Sequence, residues 1–187
     1  MISIKSVYFN LAATALGDVG VVWRQKDDTP IIVRIFLPIE CARMDDLIRQ
    51  SFPGAVRQSH GIIDQVCISI QELLSGQDVT FSETILDMSL CGEFQRKVLS
   101  YAMQIPKGRV STYGRLSKRI GIPKGARAVG RVLAGNPYPL VIPCHRVIQA
   151  DGNLCGFGGG LKMKRDLLNM EGIVFDPKGR VLPQFFL

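Results

Sequence analysis

The spacing of apolar residues divides this chain into strand-like and helix-like stretches. Short β-branched runs come first: Val7–Leu16, Val19–Arg24 and Ile31–Leu37, the last two flanking the polar stretch Gln25-Lys26-Asp27-Asp28-Thr29-Pro30. They predict strands, with a hairpin across the polar break. The period then lengthens to that of a helix over Arg43–Phe52 and over Ile62–Leu74, the latter through Ile63, Val66, Cys67, Ile70 and Leu74, with Gly76 as a stop signal. Val79–Leu90 reads as a further strand and crossover. From Cys91 onward the pattern is mostly helical. Glu93–Met103 puts Phe94, Val98, Leu99 and Ala102 on one face and ends before Pro106-Lys107-Gly108. Ser111 or Thr112 can cap a second helix running through Leu116 and Ile120 to Gly121. Gly125–Ala134 forms a third, before Gly135-Asn136-Pro137. Leu140-Val141-Ile142 is strand-like, and Leu161–Met170 is an amphipathic helix with Leu161, Leu167 and Leu168 on its apolar face. Strands and helices in the first part and helices in the second predict an α+β protein of two domains, residues 1–88 and 89–187.

With 47% apolar residues in 187, the chain can bury a core. The run from Val7 loosely imitates a signal peptide, but Asn10 and Thr14 interrupt it and apolar residues continue through Trp23, so a buried strand is expected. No stretch reaches the roughly 20 apolar residues needed to span a bilayer, and a soluble protein is expected. Cys41, Cys67, Cys91, Cys144 and Cys155 are unpaired in spacing and odd in number, which points to a reducing cytoplasm. Histidine only at positions 60 and 145 argues against a Cys/His zinc site. Cys41, Cys67 and His60 read as packing residues.

Charge sharpens the division. Residues 1–88 hold 7 Lys+Arg against 11 Asp+Glu, whereas residues 89–187 hold 16 against 5. Eight of those basic residues fall between Lys107 and Arg131, with no acidic one among them. A polyanion-binding half joined to an acidic half has this distribution, as does a soluble protein with uneven surface charge. The basic stretch coincides with two short helices and a glycine-containing turn, the helix-turn-helix pattern. Its second helix, however, consists of Gly125, Ala126, Ala128, Gly130 and Ala134 around Arg127. Base readout in the major groove needs several long polar side chains. Small residues around one arginine suit close backbone approach to a duplex that the arginine enters. They suit a tight helix–helix contact equally well.

The densest chemistry is Pro143-Cys144-His145-Arg146-Val147, just after the strand-like run. A thiol attacks as thiolate, and a neighbouring imidazole can take its proton near neutral pH. In a regular strand, adjacent side chains point to opposite faces, so Cys144 and His145 act together only if the backbone turns, with a water between them; Pro143 favours the break. The imidazole also needs an orienting group on its other nitrogen. Glu171, at the end of the last helix, is a candidate, with Asp151 and Asp166 in competition. Cys155 has no partner signal and reads as packing.

The Pro-Cys-His-Arg-Val motif, preceded by Arg127-Ala128-Val129-Gly130 and Gly135-Asn136-Pro137, resembles the O6-alkylguanine-DNA alkyltransferase family. The resemblance runs from about Phe94 to Gly172 and includes Val110-Ser111-Thr112-Tyr113 and Met170-Glu171-Gly172. It implies a ribonuclease-H-like domain followed by a mostly helical domain with a helix-turn-helix. It implies a cofactor-free monomer, cytoplasmic or nuclear, acting on double-stranded DNA that contains O6-alkylguanine. Cys144 would be the alkyl acceptor, His145 its base through water, Glu171 the holder of the imidazole, and Tyr113 the donor to the departing guanine. Arg127 would fill the place of the extruded nucleotide, with Ala126, Ala128, Gly130, Thr112 and Gly114 along the DNA. Asn136 would brace the turn, and Leu133, Val147, Phe157 and Gly158 would line the pocket. The carbonyls of Cys144 and Val147 would accept from the guanine amine, and the loop from Phe157 to Gly160 would close over it.

Two positions depart from the family pattern: Phe157 replaces a usual tyrosine and Gly158 a common serine. The Gly158 N–H can still donate to guanine O6, while the preferred alkyl size stays open. Residues 1–88 also lack the zinc-binding cysteine–histidine cluster of some relatives. Stoichiometric alkyl transfer is therefore expected, ahead of a non-reacting lesion sensor, a transcriptional regulator or a cysteine hydrolase.

Overall fold

The computed structural model describes residues 6–39 and 41–187, and the chain divides into two compact units, Met1–Leu90 and Cys91–Leu187. Both α and β structure are present, giving an α+β protein.

In the first unit, strands β1 (Val7–Ala12), β2 (Val19–Lys26) and β3 (Thr29–Phe36) form an antiparallel meander. The two-residue strand β4 (Val56–Arg57) adds in parallel beside β1, giving the order β3-β2-β1-β4. The hairpin turn is tighter than the polar break suggests. Only Asp27 and Asp28 lie outside the strands, with φ of 46° and 61°. Two left-handed residues match the twist of the flanking strands, and aspartate tolerates that conformation. Val19–Trp23 is buried throughout, as befits a strand covered on both faces. Helix α1 (Met44–Ser51) packs so closely on β2 that a Cβ at Gly20 would lie 2.7 Å from Ile48 Cδ1. Helix α2 (Gly61–Leu74) buries Ile63, Val66, Cys67, Ile70, Leu73 and Leu74.

Two expectations in this unit change, and that for His60 gains a second role. His60 is the N-cap of α2: its Nδ1 accepts from Ile62 N at 3.3 Å, and its ring lies 5.4 Å from that of Trp23. Cys41 is exposed, in a backbone turn with φ 62°, and is no part of the core. The segment expected as a strand and crossover over Val79–Leu90 instead makes two 3₁₀ turns, Glu83–Ile85 and Met88–Leu90, with a single bridge from Leu86 to Ile32. Polar groups turn it: Ser82 accepts from Thr84 N, and buried Asp87 binds Ser89 and Arg24.

In the second unit, α3 (Glu93–Met103), α4 (Tyr113–Arg119) and α5 (Ala126–Ala134) pack on one another. Thr112 caps α4, its Oγ1 accepting from Arg115 N at 3.1 Å, and Gly121 ends the turn with φ 82°. Strands β5 (Ser111–Thr112) and β6 (Val147–Ile148) form a short parallel pair, followed by α6 (Gly160–Met170). Val110, Ile148, Leu168, Ile173 and Val181 make a core beneath them.

The run Leu140-Val141-Ile142 is not a strand. Leu140 has φ 73°, Ile142 N donates back to Tyr138 O at 2.8 Å, and the contact is an isolated Pro139–Ile142 bridge. The apolar run is instead a buried turn. Leu161 is exposed; the buried stripe of α6 is Met163, Lys164, Leu167 and Leu168. Among the described residues, no helix is long and apolar enough to cross a membrane.

Candidate active site

Cys144 opens a 3₁₀ turn, Cys144–Arg146, rather than ending a strand. Arg146 N donates to Pro143 O at 3.0 Å and Val147 N to Cys144 O, so the chain coils tightly through the motif. Three residues per turn place successive side chains about 120° apart instead of on opposite faces. Both reactive side chains are buried here, Cys144 at 8% and His145 at 1% exposure. Asn136 holds the preceding turn: its Oδ1 accepts from Tyr138 N at 2.9 Å and its Nδ2 donates to Ile142 O at 3.0 Å.

His145 Nε2 lies 2.8 Å from Glu171 Oε1, and the imidazole meets the Phe157 ring edge-on at 6.3 Å between centroids. Glu171 is the C-cap of α6, one residue beyond the helix, with its side chain buried. Arg146 grips the same carboxylate, Nε donating to both oxygens at 3.0 Å and Nη2 to Oε1 at 2.9 Å. Its remaining arm, Nη1, donates to Ile105 O at 2.6 Å. The competing carboxylates are occupied elsewhere: Asp151 accepts from Asn153, and Asp166 pairs with Lys162.

Burial works against the Glu171 charge, yet the hydrogen bonds and charges of His145 and Arg146 outweigh it and bring the carboxyl down to about 2. Burial also holds His145 below its ordinary value, partly opposed by Glu171. An ionised carboxylate can only accept, so Nε2 carries the ring proton of the neutral imidazole. Nδ1 is then a lone-pair acceptor, and it is buried without a protein partner.

The positive charge of Arg146 is spent on Glu171, and burial pushes the Cys144 thiol up, opposed by Asn136 and by Lys164. At rest Cys144 is a protonated thiol and needs a base. Nothing in the sequence motifs marks Lys164. It is fully buried in α6, its Nζ donating to Val147 O at 2.8 Å and to Cys155 O at 3.0 Å. Burial draws its pKa downward, opposed by the two nearby sulfurs. The Val147 carbonyl is thus already engaged.

Tyr113 is the first residue of α4, and its Oη accepts from Cys155 Sγ at 3.1 Å. Cys155 is therefore a polar neighbour of Tyr113 rather than plain packing. Gly130 of α5 lies by the Tyr113 ring, where a Cβ would sit 3.7 Å from Cδ1. Arg127 is exposed on the first turn of α5, flanked by half-buried Ala126 and Ala128; Gly114 is half-buried and Leu133 buried. Thr112 is buried with its hydroxyl committed to the cap. Phe157 is half-buried and Gly158 exposed. A cleft of about 450 Å³ lined by Tyr101, Gln104, Arg115, Lys118 and Arg119 includes none of the residues around the thiol. No group of three or more metal-ligating side chains gathers among the described residues.

Together these features describe an α+β protein with a buried thiol, a neutral imidazole and a carboxylate that fixes the ring. Residues 93–173 match the family described as 6-O-methylguanine DNA methyltransferase, DNA binding domain. The chain is 37% identical over 158 residues to a methylated-DNA–protein-cysteine methyltransferase of Methanothermobacter thermautotrophicus, covering 84% of this chain and 81% of that one. It is 38% identical over 127 residues to the protein of that name from Haemophilus influenzae, covering 67% and 70%. The Mycobacterium tuberculosis O6-methylguanine methyltransferase R37L variant superposes with a TM-score of 0.71 at 25% identity, over 92% of this chain and 98% of that one. The structure of Mycobacterium tuberculosis OGT in complex with DNA gives 0.69 at 25% identity, over 88% and 92%. This chain belongs to the methylated-DNA–protein-cysteine methyltransferase family.

Proposed function

We propose that Cys144 takes an alkyl group from O6-alkylguanine in duplex DNA and keeps it. The chain is a methylated-DNA–protein-cysteine methyltransferase that repairs DNA by direct reversal, transferring the group to cysteine. The observation that carries the site assignment is the imidazole of His145, proton-bearing on the Glu171 side and unpartnered at Nδ1, in the same tight turn as the Cys144 thiol. In this reading Nδ1 takes the thiol proton through one water, and Glu171 steadies the imidazolium that forms. The thiolate attacks the alkyl carbon in line, the carbon–O6 bond breaks, and its electron pair stays with guanine. Tyr113 shares its phenol proton with the departing base. The product is a thioether, which offers no easy hydrolytic exit, so each molecule reacts once.

A base in a duplex is shielded by stacking, and reaction at O6 requires its extrusion, at a cost of a few kcal/mol for a damaged base. We assign that work to α4 and α5, read as a helix-turn-helix of the backbone-binding kind. Arg127 enters the stack, while Ala126, Ala128, Gly130, Thr112 and Gly114 allow close approach. Asn136, Leu133, Val147, Phe157 and Gly158 shape the pocket, with the Cys144 and Val147 carbonyls receiving the guanine amine. The first unit, read as ribonuclease-H-like, serves as structure. The protein works as a monomer without cofactor, and five free cysteines suit the cytoplasm.

Stoichiometry tests this function. With methylated duplex in excess, repaired guanines should reach one per protein and stop, and Cys144→Ser should repair none. Continued turnover would identify a hydrolytic or otherwise regenerating catalyst and end the proposal.

A further inference from the structure

The half-buried Cys155 is tied into the site at both ends of the residue. Its Sγ–H donates to Tyr113 Oη at 3.1 Å. Its carbonyl is held at 3.0 Å by Lys164 Nζ, the same buried ammonium that holds Val147 O at 2.8 Å. The backbone at Cys155 is therefore fastened to the segment that follows Cys144, which fixes the reach of the thiol to the phenol.

A phenol has one proton to donate and two lone pairs to accept with. With the thiol as donor, the hydrogen bond runs from S–H to the phenol oxygen. One acceptor site of Tyr113 is then filled, and its proton is not spent on Cys155. We propose that Cys155 is a positioning residue for Tyr113: its thiol hydrogen bond turns the phenol proton away from sulfur and toward the departing guanine. A phenol that accepts a hydrogen bond is also a better donor, because linked hydrogen bonds polarise one another. When the carbon–O6 bond breaks and its electron pair moves onto guanine, Tyr113 shares its proton with the base. The negative charge growing on Oη meets the Cys155 S–H, and that proton stays on sulfur. Burial raises the Tyr113 pKa, which keeps the phenol protonated until that moment.

This inference deepens the proposed function and rests on Tyr113 being the donor, so its test separates the two. Single-turnover alkylation by a saturating O6-methylguanine duplex is measured for wild type, Cys155→Ala, Cys155→Ser, Tyr113→Phe and the double variant Tyr113→Phe/Cys155→Ala. Affinity for unmodified duplex, measured alongside, reports on folding. Cys155→Ala should slow the chemical step about three- to tenfold, the worth of one modest hydrogen bond, without weakening DNA binding. Cys155→Ser, which keeps a donor, should restore most of the rate. In the Tyr113→Phe background, Cys155→Ala should change nothing further. Equal slowing in both backgrounds would mean that Cys155 acts by packing, and would overturn the inference. So would an unchanged or faster reaction of Cys155→Ala when Tyr113→Phe is slow, since the phenol proton would then owe nothing to sulfur. A Tyr113→Phe protein that reacts at the wild-type rate would remove the donor assignment itself, and this inference with it.

Discussion

Glu171 links the imidazole to a guanidinium, and its replacement separates chemistry from DNA binding. Glu171→Gln removes the charge that steadies His145 and leaves the Arg146 fork facing a neutral amide. The variant should lose about 3 kcal/mol of stability, as expected when one partner of a buried ion pair is removed, and should alkylate on the order of 10–100-fold more slowly. Its affinity for duplex should hardly change, because the side chain is buried behind the thiol turn. Urea denaturation, single-turnover rates and DNA titration read these three quantities; a large loss of affinity would place Glu171 on the DNA instead. The pH dependence has a definite sign. His145 and Glu171 both titrate lower in the folded protein than their ordinary values of 6.5 and 4.5. The unfolded chain therefore binds more protons, and stability falls as pH falls: from about 6.5 for the histidine, and between 4.5 and about 2 for the carboxylate. Urea midpoints across pH 7 to 3 should decline in wild type, with a flatter acid limb in Glu171→Gln. Part of this site was legible in the sequence, since Cys144 and His145 are adjacent and Glu171 closes a helix. Lys164 gave one overlooked signal, a lysine at a position of α6 that its spacing to Leu167 and Leu168 makes apolar. Cys155 gave none, because its partner Tyr113 is 42 residues away.

Helices with a clear apolar period and a glycine or proline beyond their ends are legible almost to the residue. The expected span Glu93–Met103 is α3, and Gly125–Ala134 differs from α5 only at its first residue. Local chemistry decides such segments. The Leu140–Ile142 turn leaves no such signal: β-branched residues suit a strand, while Leu140 takes a positive φ and the Ile142 carbonyl is held by Asn136 Nδ2. The two-residue strands β4, β5 and β6 are likewise products of tertiary pairing, too short to leave a pattern. In α4, Thr112→Ala deletes the cap to Arg115 N and should lower stability by about 1 kcal/mol in urea denaturation. In α5, Arg127→Ala should weaken repair in duplex far more than reaction with the free base analogue. Only the duplex reaction requires a nucleotide to be extruded and its place filled. Equal losses on the two substrates would reject that role for Arg127.

The chain carries its charge unevenly, with seven basic against eleven acidic residues in 1–88 and sixteen against five in 89–187. Binding through a basic surface releases counterions from the duplex. If about four phosphates are neutralised, affinity for unmodified duplex should fall more than tenfold between 50 and 200 mM salt. A fluorescence titration at four salt concentrations measures the slope; a flat response would show that the basic half does not contact phosphate. The central claim is that one sulfur keeps the carbon it takes. Intact-mass spectrometry after incubation with methylated duplex, followed by peptide mapping, tests it directly. Wild type should gain a single methyl group located on Cys144, and Cys144→Ser should gain none. A methyl group found on another cysteine, or unmodified protein beside repaired DNA, would contradict the account.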